Sequence, residues 1–236
     1  MIHLYSDSRC IFSHRARIIL NFKDMDFKII DVNINLRQDL MVLNPYNETP
    51  VLLDDIDKNN KKKDLVLLDT NIICEYIDER FPHPQLMPIE PAEKARLRML
   101  MSHFETELFV HVRQLEGMIG SGKNKKEQEK LKKSIISVLD NISQVFVNDK
   151  KAEFIFGNTF TILDAAVLPL LWRLDHYDIA TKPNWNGMLK YANRLFATDQ
   201  FMSSLTPAEK GMRGDFVTAP GNNNTASVSK GTRINA

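Results

Sequence analysis

Cysteine is nearly absent. The chain of 236 residues carries only Cys10 and Cys74, too few for the disulfide framework of a small secreted domain. The opening MIHLYSDS has neither the basic n-region nor the apolar h-region of a secretory leader, so a cytoplasmic protein is expected. Long apolar runs are missing as well. The longest, 165-AAVLPLLW-172, falls far below the roughly 18 residues that span a bilayer, and no membrane segment is expected. Excess charge of either sign is also lacking. Lys and Arg number 31 against 30 Asp and Glu, a formal charge of +1, which excludes the strongly basic surface of sequence-independent DNA binding. Any contact with DNA would be indirect. There is no Walker loop, no GxGxxG, no HExxH and no paired CxxC, which argues against nucleotide hydrolysis and structural zinc. His103 and His111 lie about two turns apart on an expected helix, too far to share a metal ion. No metal and no cofactor is expected.

What is present reads as two compact units, with length enough for a sizeable core. Residues 2 to 6 (IHLYS) form a short strand pattern, followed by Phe12, Ala16, Ile19 and Leu20 along one helical stripe. Next come a β-rich segment at 27–34, a short helix at 36–44, and turn residues around Pro45 and Asn47. The segments 50-PVLLDD-55 and 65-LVLLD-69 read as two strands joined by a charged turn. Then 70-TNIICEYIDERF-81 places Ile72, Ile73, Tyr76 and Ile77 on one helical face, with Asp69 or Thr70 as N-cap. Cys74 lies beside that face and reads as a small core residue. The order is β-α-β-α-β-β-α, an α/β unit over residues 1–82.

Residues 83–91 follow as a linker. The stretch 82-PHPQLMPIEP-91 holds four prolines in ten positions, which forbids regular helix and argues for a stiff extended segment. Beyond it the periodicity is helical throughout, at 92–119, 127–147, 162–177 and 186–205. An all-α unit is expected over 92–215. Thr161 and Asp164 have capping-box spacing at the start of the third of these helices. Residues 216–236 are polar and aperiodic and are expected to be disordered. Lys61, Lys62 and Lys63, with Lys123, Lys125 and Lys126, fall in expected turns; they read as solvated surface that a partner or an anionic nucleotide would find accessible.

Cys10 stands where the first strand hands over to a helix N-terminus, a place that favours a thiolate. Two readings stay open on the residues alone: a nucleophilic thiol, or a thiol without chemistry. The spacing Cys10-x-Phe12-x-x-Arg15 resembles the Cys-Pro-Phe-x-x-Arg start of cysteine-type glutathione transferases, with Ile11 where that class has the proline that presents the thiol. Element order and Thr49-Pro50 likewise resemble the thioredoxin-like domain of those enzymes, followed by their helical domain. The resemblance implies a cis proline that exposes the backbone of Thr49 to a peptide-like ligand. It also implies that Asp69 and Thr70 occupy the positions that hold the γ-glutamyl group of glutathione. Aspartate is a methylene shorter than the usual residue and threonine is β-branched, so the fit would be poorer. The plain alternative is that Asp69 and Thr70 cap a helix.

The stretches 13-SHRARIIL-20, 75-EYIDERFPHPQLMPIEP-91, 169-PLLWRL-174 and 203-SSLTPAEKGMR-213 resemble the stringent starvation protein A family, RNA polymerase-associated regulators with a glutathione-transferase-like fold. This implies a non-enzymatic transcription regulator in which Cys10 marks an abandoned active-site position. It further implies a homodimer or a heterodimer with a paralogue, a guanosine tetraphosphate signal at the dimer in some lineages, and contact with the RNA polymerase holoenzyme through Phe81, Pro82, His83 and Pro84. Two prolines fix φ and remove donors, so His83 is held in one direction. The alternative is that Pro82 and Pro84 only stop a helix.

Overall fold

A computed structural model describes residues 1–32, 37–56, 64–119, 124–149 and 151–213, without the side chains of 37–39. The expected disordered tail and the lysines at 61–63 and 123 lie outside these residues. The described residues form two compact units. One is Met1–Pro84 together with the segment beginning at Asp199, and the other is Gln85–Thr198.

The first unit is thioredoxin-like. Strands β1 (Ile2–Ser6), β2 (Phe27–Asp31), β3 (Val51–Asp54) and β4 (Leu65–Leu67) form one sheet in the order β2-β1-β3-β4. β1 runs parallel to β2, with Leu4 opposite Ile29, and antiparallel to β3, with Leu4 opposite Leu52. The parallel pair needs a crossover, which helix α1 (Ile11–Phe22) supplies. β1 alternates in burial with Ile2, Leu4 and Ser6 inward, as a period of two requires. Val32, Leu40 and Val51 form a core cluster with Tyr5, Leu43 and Val66 against it. α2 (Arg37–Leu43) and α3 (Thr70–Arg80) complete the unit. Between α2 and β3, Asn47 takes a left-handed φ of 54° and the Thr49–Pro50 bond is cis.

α1 departs from the simple amphipathic stripe. Ser13, His14, Arg15 and Arg17 are buried along with its apolar residues, because α3 and helix α9 (Asp199–Ser204) both pack on it. Residues expected to end the helical unit therefore pack on the first unit.

The second unit is helical. α4 (Pro91–Phe104) starts with Pro91 at a first-turn position and Glu90 as N-cap, its carboxylate accepting from the Glu93 amide at 2.8 Å. Leu86 and Met87 are buried, and the Leu86 carbonyl accepts from the Ile162 amide at 3.1 Å. Leu86 and Met87 are thus packed within a segment expected as a stiff extended linker. The helix expected over 92–119 is interrupted by a π-helical turn at Glu105–Phe109 before α5 (Val110–Met118). α6 (Lys125–Asn148), α7 (Ile162–Trp172) and α8 (Asn186–Phe196) follow. α7 is buried along its whole length, as its uniformly apolar sequence requires. It stops at Trp172 rather than 177, the chain turning to Asp178 at a φ of 53°. The expected helix over 186–205 is two helices, α8 and α9. Among the described residues no helix is long and apolar enough to cross a membrane, and no cluster of three or more His, Cys, Asp or Glu could hold a metal ion.

Candidate functional site

Cys10 is the N-cap of α1. Its backbone is extended (φ −65°, ψ 124°), its sulfur accepts from the Ser13 amide at 3.5 Å, and its thiol donates to the Thr49 carbonyl at 3.6 Å. Neither cysteine is in a disulfide; Cys10 is partly exposed and Cys74 is buried. The first helical position, where a proline would present the thiol, holds the buried Ile11. Cys10, Thr49 and the cis Pro50 are therefore brought together. Asp69 and Thr70 open α3: one Asp69 oxygen accepts from the amides of Asn71 and Ile72 at 2.8 and 3.1 Å, and Thr70 is buried. The Asp69 carboxylate does the work of an N-cap, with the helix dipole adding to the same preference. The next residue, Asn71, receives the Arg15 guanidinium at 2.7 Å, tying α1 to α3.

The same helix α1 also enters a buried polar cluster that the sequence reading missed. Arg17 donates to both oxygens of Glu209 at 2.6 Å, to the Ser204 carbonyl at 2.8 Å and to the Ser6 hydroxyl. His14 Nε2 lies 2.9 Å from the Ser204 hydroxyl. Glu209 also closes a capping box with Thr206 at the start of α10 (Pro207–Lys210), and the Thr206 hydroxyl donates to the Ser8 carbonyl at 2.6 Å in the loop that carries Cys10. The signal was present: Thr206-Pro207-x-Glu209 has capping-box spacing with proline at the first helical position. What the spacing lacked was its partner on α1, about 190 residues earlier. Two of the four quoted stretches, 13–20 and 203–213, meet in this cluster.

The segment 81–84 leaves the end of α3. Phe81 is the C-cap, its amide donating to the Ile77 carbonyl at 3.0 Å, and the Arg80 guanidinium lies 5.2 Å from the centre of its ring. Pro82, His83 and Pro84 are exposed, and the His83–Pro84 bond is cis. In the second unit, a cavity of about 360 Å³ is lined by Leu86, Met87, Ile89, Phe156 and Thr159, among others.

Comparison with known proteins gives these features a family. The model for the N-terminal domain of glutathione S-transferase matches residues 9–80. A stringent starvation protein A homolog of Coxiella burnetii is 35% identical over 213 residues, spanning 89% of this chain and 94% of the relative. The chain belongs to the stringent starvation protein A family. Glutathione S-transferase omega-2 of Rattus norvegicus is 30% identical over 80% of this chain and 72% of its own length. Among solved structures, Ure2p in complex with glutathione aligns at a TM-score of 0.73 with 15% identity, over 86% of this chain and 98% of that one. The fold is that of a glutathione transferase, a thioredoxin-like domain joined to a helical domain. Within this member of the stringent starvation protein A family, Cys10, Thr49, Pro50, Asp69 and Thr70 all lie inside the matched N-terminal region.

Proposed function

We propose that this chain is a non-enzymatic transcription regulator that binds the RNA polymerase holoenzyme near its σ subunit and alters promoter use during starvation or stress, virulence genes among them. The observation that carries this reading is membership of the stringent starvation protein A family along nearly the whole chain. The contact surface is Phe81, Pro82, His83 and Pro84: exposed proline-fixed residues present a side chain without a large ordering cost. The protein acts as a homodimer or with a paralogue, and guanosine tetraphosphate is the candidate signal at the dimer. The test is co-purification of the holoenzyme with the unaltered protein and with a variant in which Pro82, His83 and Pro84 are alanine. A loss of at least about 2 kcal/mol in binding is expected if the segment is a hot spot, with thermal unfolding nearly unchanged. Unchanged capture by the folded variant would move the contact elsewhere.

A second reading rests on a specific observation, the partly exposed thiol of Cys10 at the N-terminus of a twelve-residue helix. In that reading Cys10 is the nucleophile of a glutathione or thiol transferase. Retention on immobilised glutathione, with turnover of an electrophile that disappears in Cys10→Ala, would establish it. Failure of both leaves the regulator reading.

A further inference from the structure

The segment 81–84 is held from below by a side chain outside it. Lys23 is the C-cap residue of α1, and its side chain is fully buried. Lysine is almost never buried to that degree unless paired. Here the ammonium donates to the Asp78 carboxylate of α3 at 2.5 Å and to the Pro84 carbonyl at 2.5 Å. Its location at a helix C-terminus suits a cation. An ammonium has three donors and no acceptor, so two of its three directions are assigned by these contacts. The chain that leaves α3 is consequently held at two points. The Phe81 amide is bound to the Ile77 carbonyl, and the Pro84 carbonyl is bound to a lysine that Asp78, one turn before Phe81, holds in place. Between those points lie only Pro82 and His83, and proline has already fixed one φ.

We propose that Lys23 and Asp78 are positioning residues for the exposed 81–84 surface: the buried ammonium fixes the direction in which Pro82, His83 and Pro84 face solvent. The identity of the partner rests on the polymerase reading above; the clamp does not. Its consequence for binding is that a partner meets a segment already ordered, so the ordering cost falls on folding rather than on association.

The test begins with the unaltered protein. The Lys23 ammonium protons should give a resolved signal with nuclear Overhauser contacts to Pro84, because burial slows their exchange with water; a Lys23 ammonium in rapid exchange, without those contacts, overturns the proposal. The variant is Lys23→Met with Asp78→Leu, which removes both buried charges together and leaves neither unpaired. The readout is the backbone order parameter of the His83 amide. It should be about 0.85 in the unaltered protein, the value of rigid backbone, and fall below about 0.6 in the folded double variant. An unchanged order parameter in the folded variant overturns the clamp. Holoenzyme capture by the double variant should weaken about tenfold, the size expected when a partner must order a short segment. If the His83 amide becomes mobile while capture is untouched both here and in the Pro82, His83, Pro84 alanine variant, the clamp stands and the polymerase reading of this surface fails.

Discussion

Arg17 and Glu209 are both essentially unexposed, and each charge is compensated by the other in a two-pronged contact. Removing one member leaves the other charge buried, which commonly costs about 3–5 kcal/mol. Arg17 keeps the Ser6 hydroxyl and the Ser204 carbonyl in Glu209→Ala, so the expected loss is at the lower end, about 3 kcal/mol. Replacing both residues by methionine should recover most of it, since an apolar pair needs no compensation. Urea unfolding of the three proteins checks this, and a Glu209→Ala midpoint equal to that of the unaltered protein would contradict it. These residues also mark what was hard to read in the sequence. The helix starts at Cys10 and Asp69 were legible because an N-cap is a local signal. Arg17 carries no such local signal, because its partner is distant in sequence and nothing in a 3.6-residue period announces a buried salt bridge.

Helix and strand positions followed their patterns closely where one face was buried, as in β1 and α6. Errors arose where packing overrode periodicity. The apolar pattern over 92–119 runs through the π-helical turn at Glu105–Phe109 without a break, because one extra residue in a turn shifts the buried face without changing composition. Contact between helices also fixes single residues that no period reveals. A Cβ on Gly187, near the start of α8, would lie 2.8 Å from Phe146 Cβ and 3.3 Å from its carbonyl oxygen, and Phe146 is itself stacked on Tyr191 at 4.9 Å. Gly187→Ala should therefore destabilise by about 1–3 kcal/mol through overpacking. Gly117, exposed within α5, has nothing within 4 Å of such a Cβ, and Gly117→Ala should raise stability by about 0.5–1 kcal/mol through helix propensity and unfolded-chain entropy. Opposite shifts in unfolding midpoint are the check. α6 and the segment 182–185 that leads into α8 are also joined through Asp140. The Lys182 ammonium at 2.6 Å holds its carboxyl below the ordinary range, with the Trp185 indole and the Asn184 amide contributing. A carboxyl lowered on folding contributes stability that is complete above its unfolded pKa of about 3.9 and is lost as pH falls through the lower folded value. Unfolding midpoints measured from pH 5 to pH 2.5 should fall more steeply for the unaltered protein than for Asp140→Asn, which has no proton to gain.

The first unit is discontinuous in sequence, and that is where reading along the chain ended too early. A helical pattern over 186–205 gave no reason to divide it, yet α9 and α10 belong by their contacts to the thioredoxin-like unit. Phe201 is fully buried and its ring lies 5.3 Å from His14. Ser204, Thr206 and Glu209 meet His14, Ser8 and Arg17. A chain ending at Thr198 would keep α4 to α8, but it would uncover Phe201's site, at roughly 1.5–3 kcal/mol for a large apolar side chain, and would leave the buried Arg17 without its carboxylate. Together these losses approach the 5–15 kcal/mol by which a whole domain is stable. The truncated chain should therefore lose amide-exchange protection in β1 and α1, at Leu4 and at Ile18 to Leu20, while protection in α7 persists. The loss should reach at least about a hundredfold, which corresponds to about 2.7 kcal/mol. Unaltered protection at Leu4 and Ile18 would mean that the Arg17 cluster is tolerated open and that the first unit folds on residues 1–84 alone. Loss of protection confined to β1 and α1 would show that the segment from Asp199 onward serves as the last structural element of the unit that carries both Cys10 and His83.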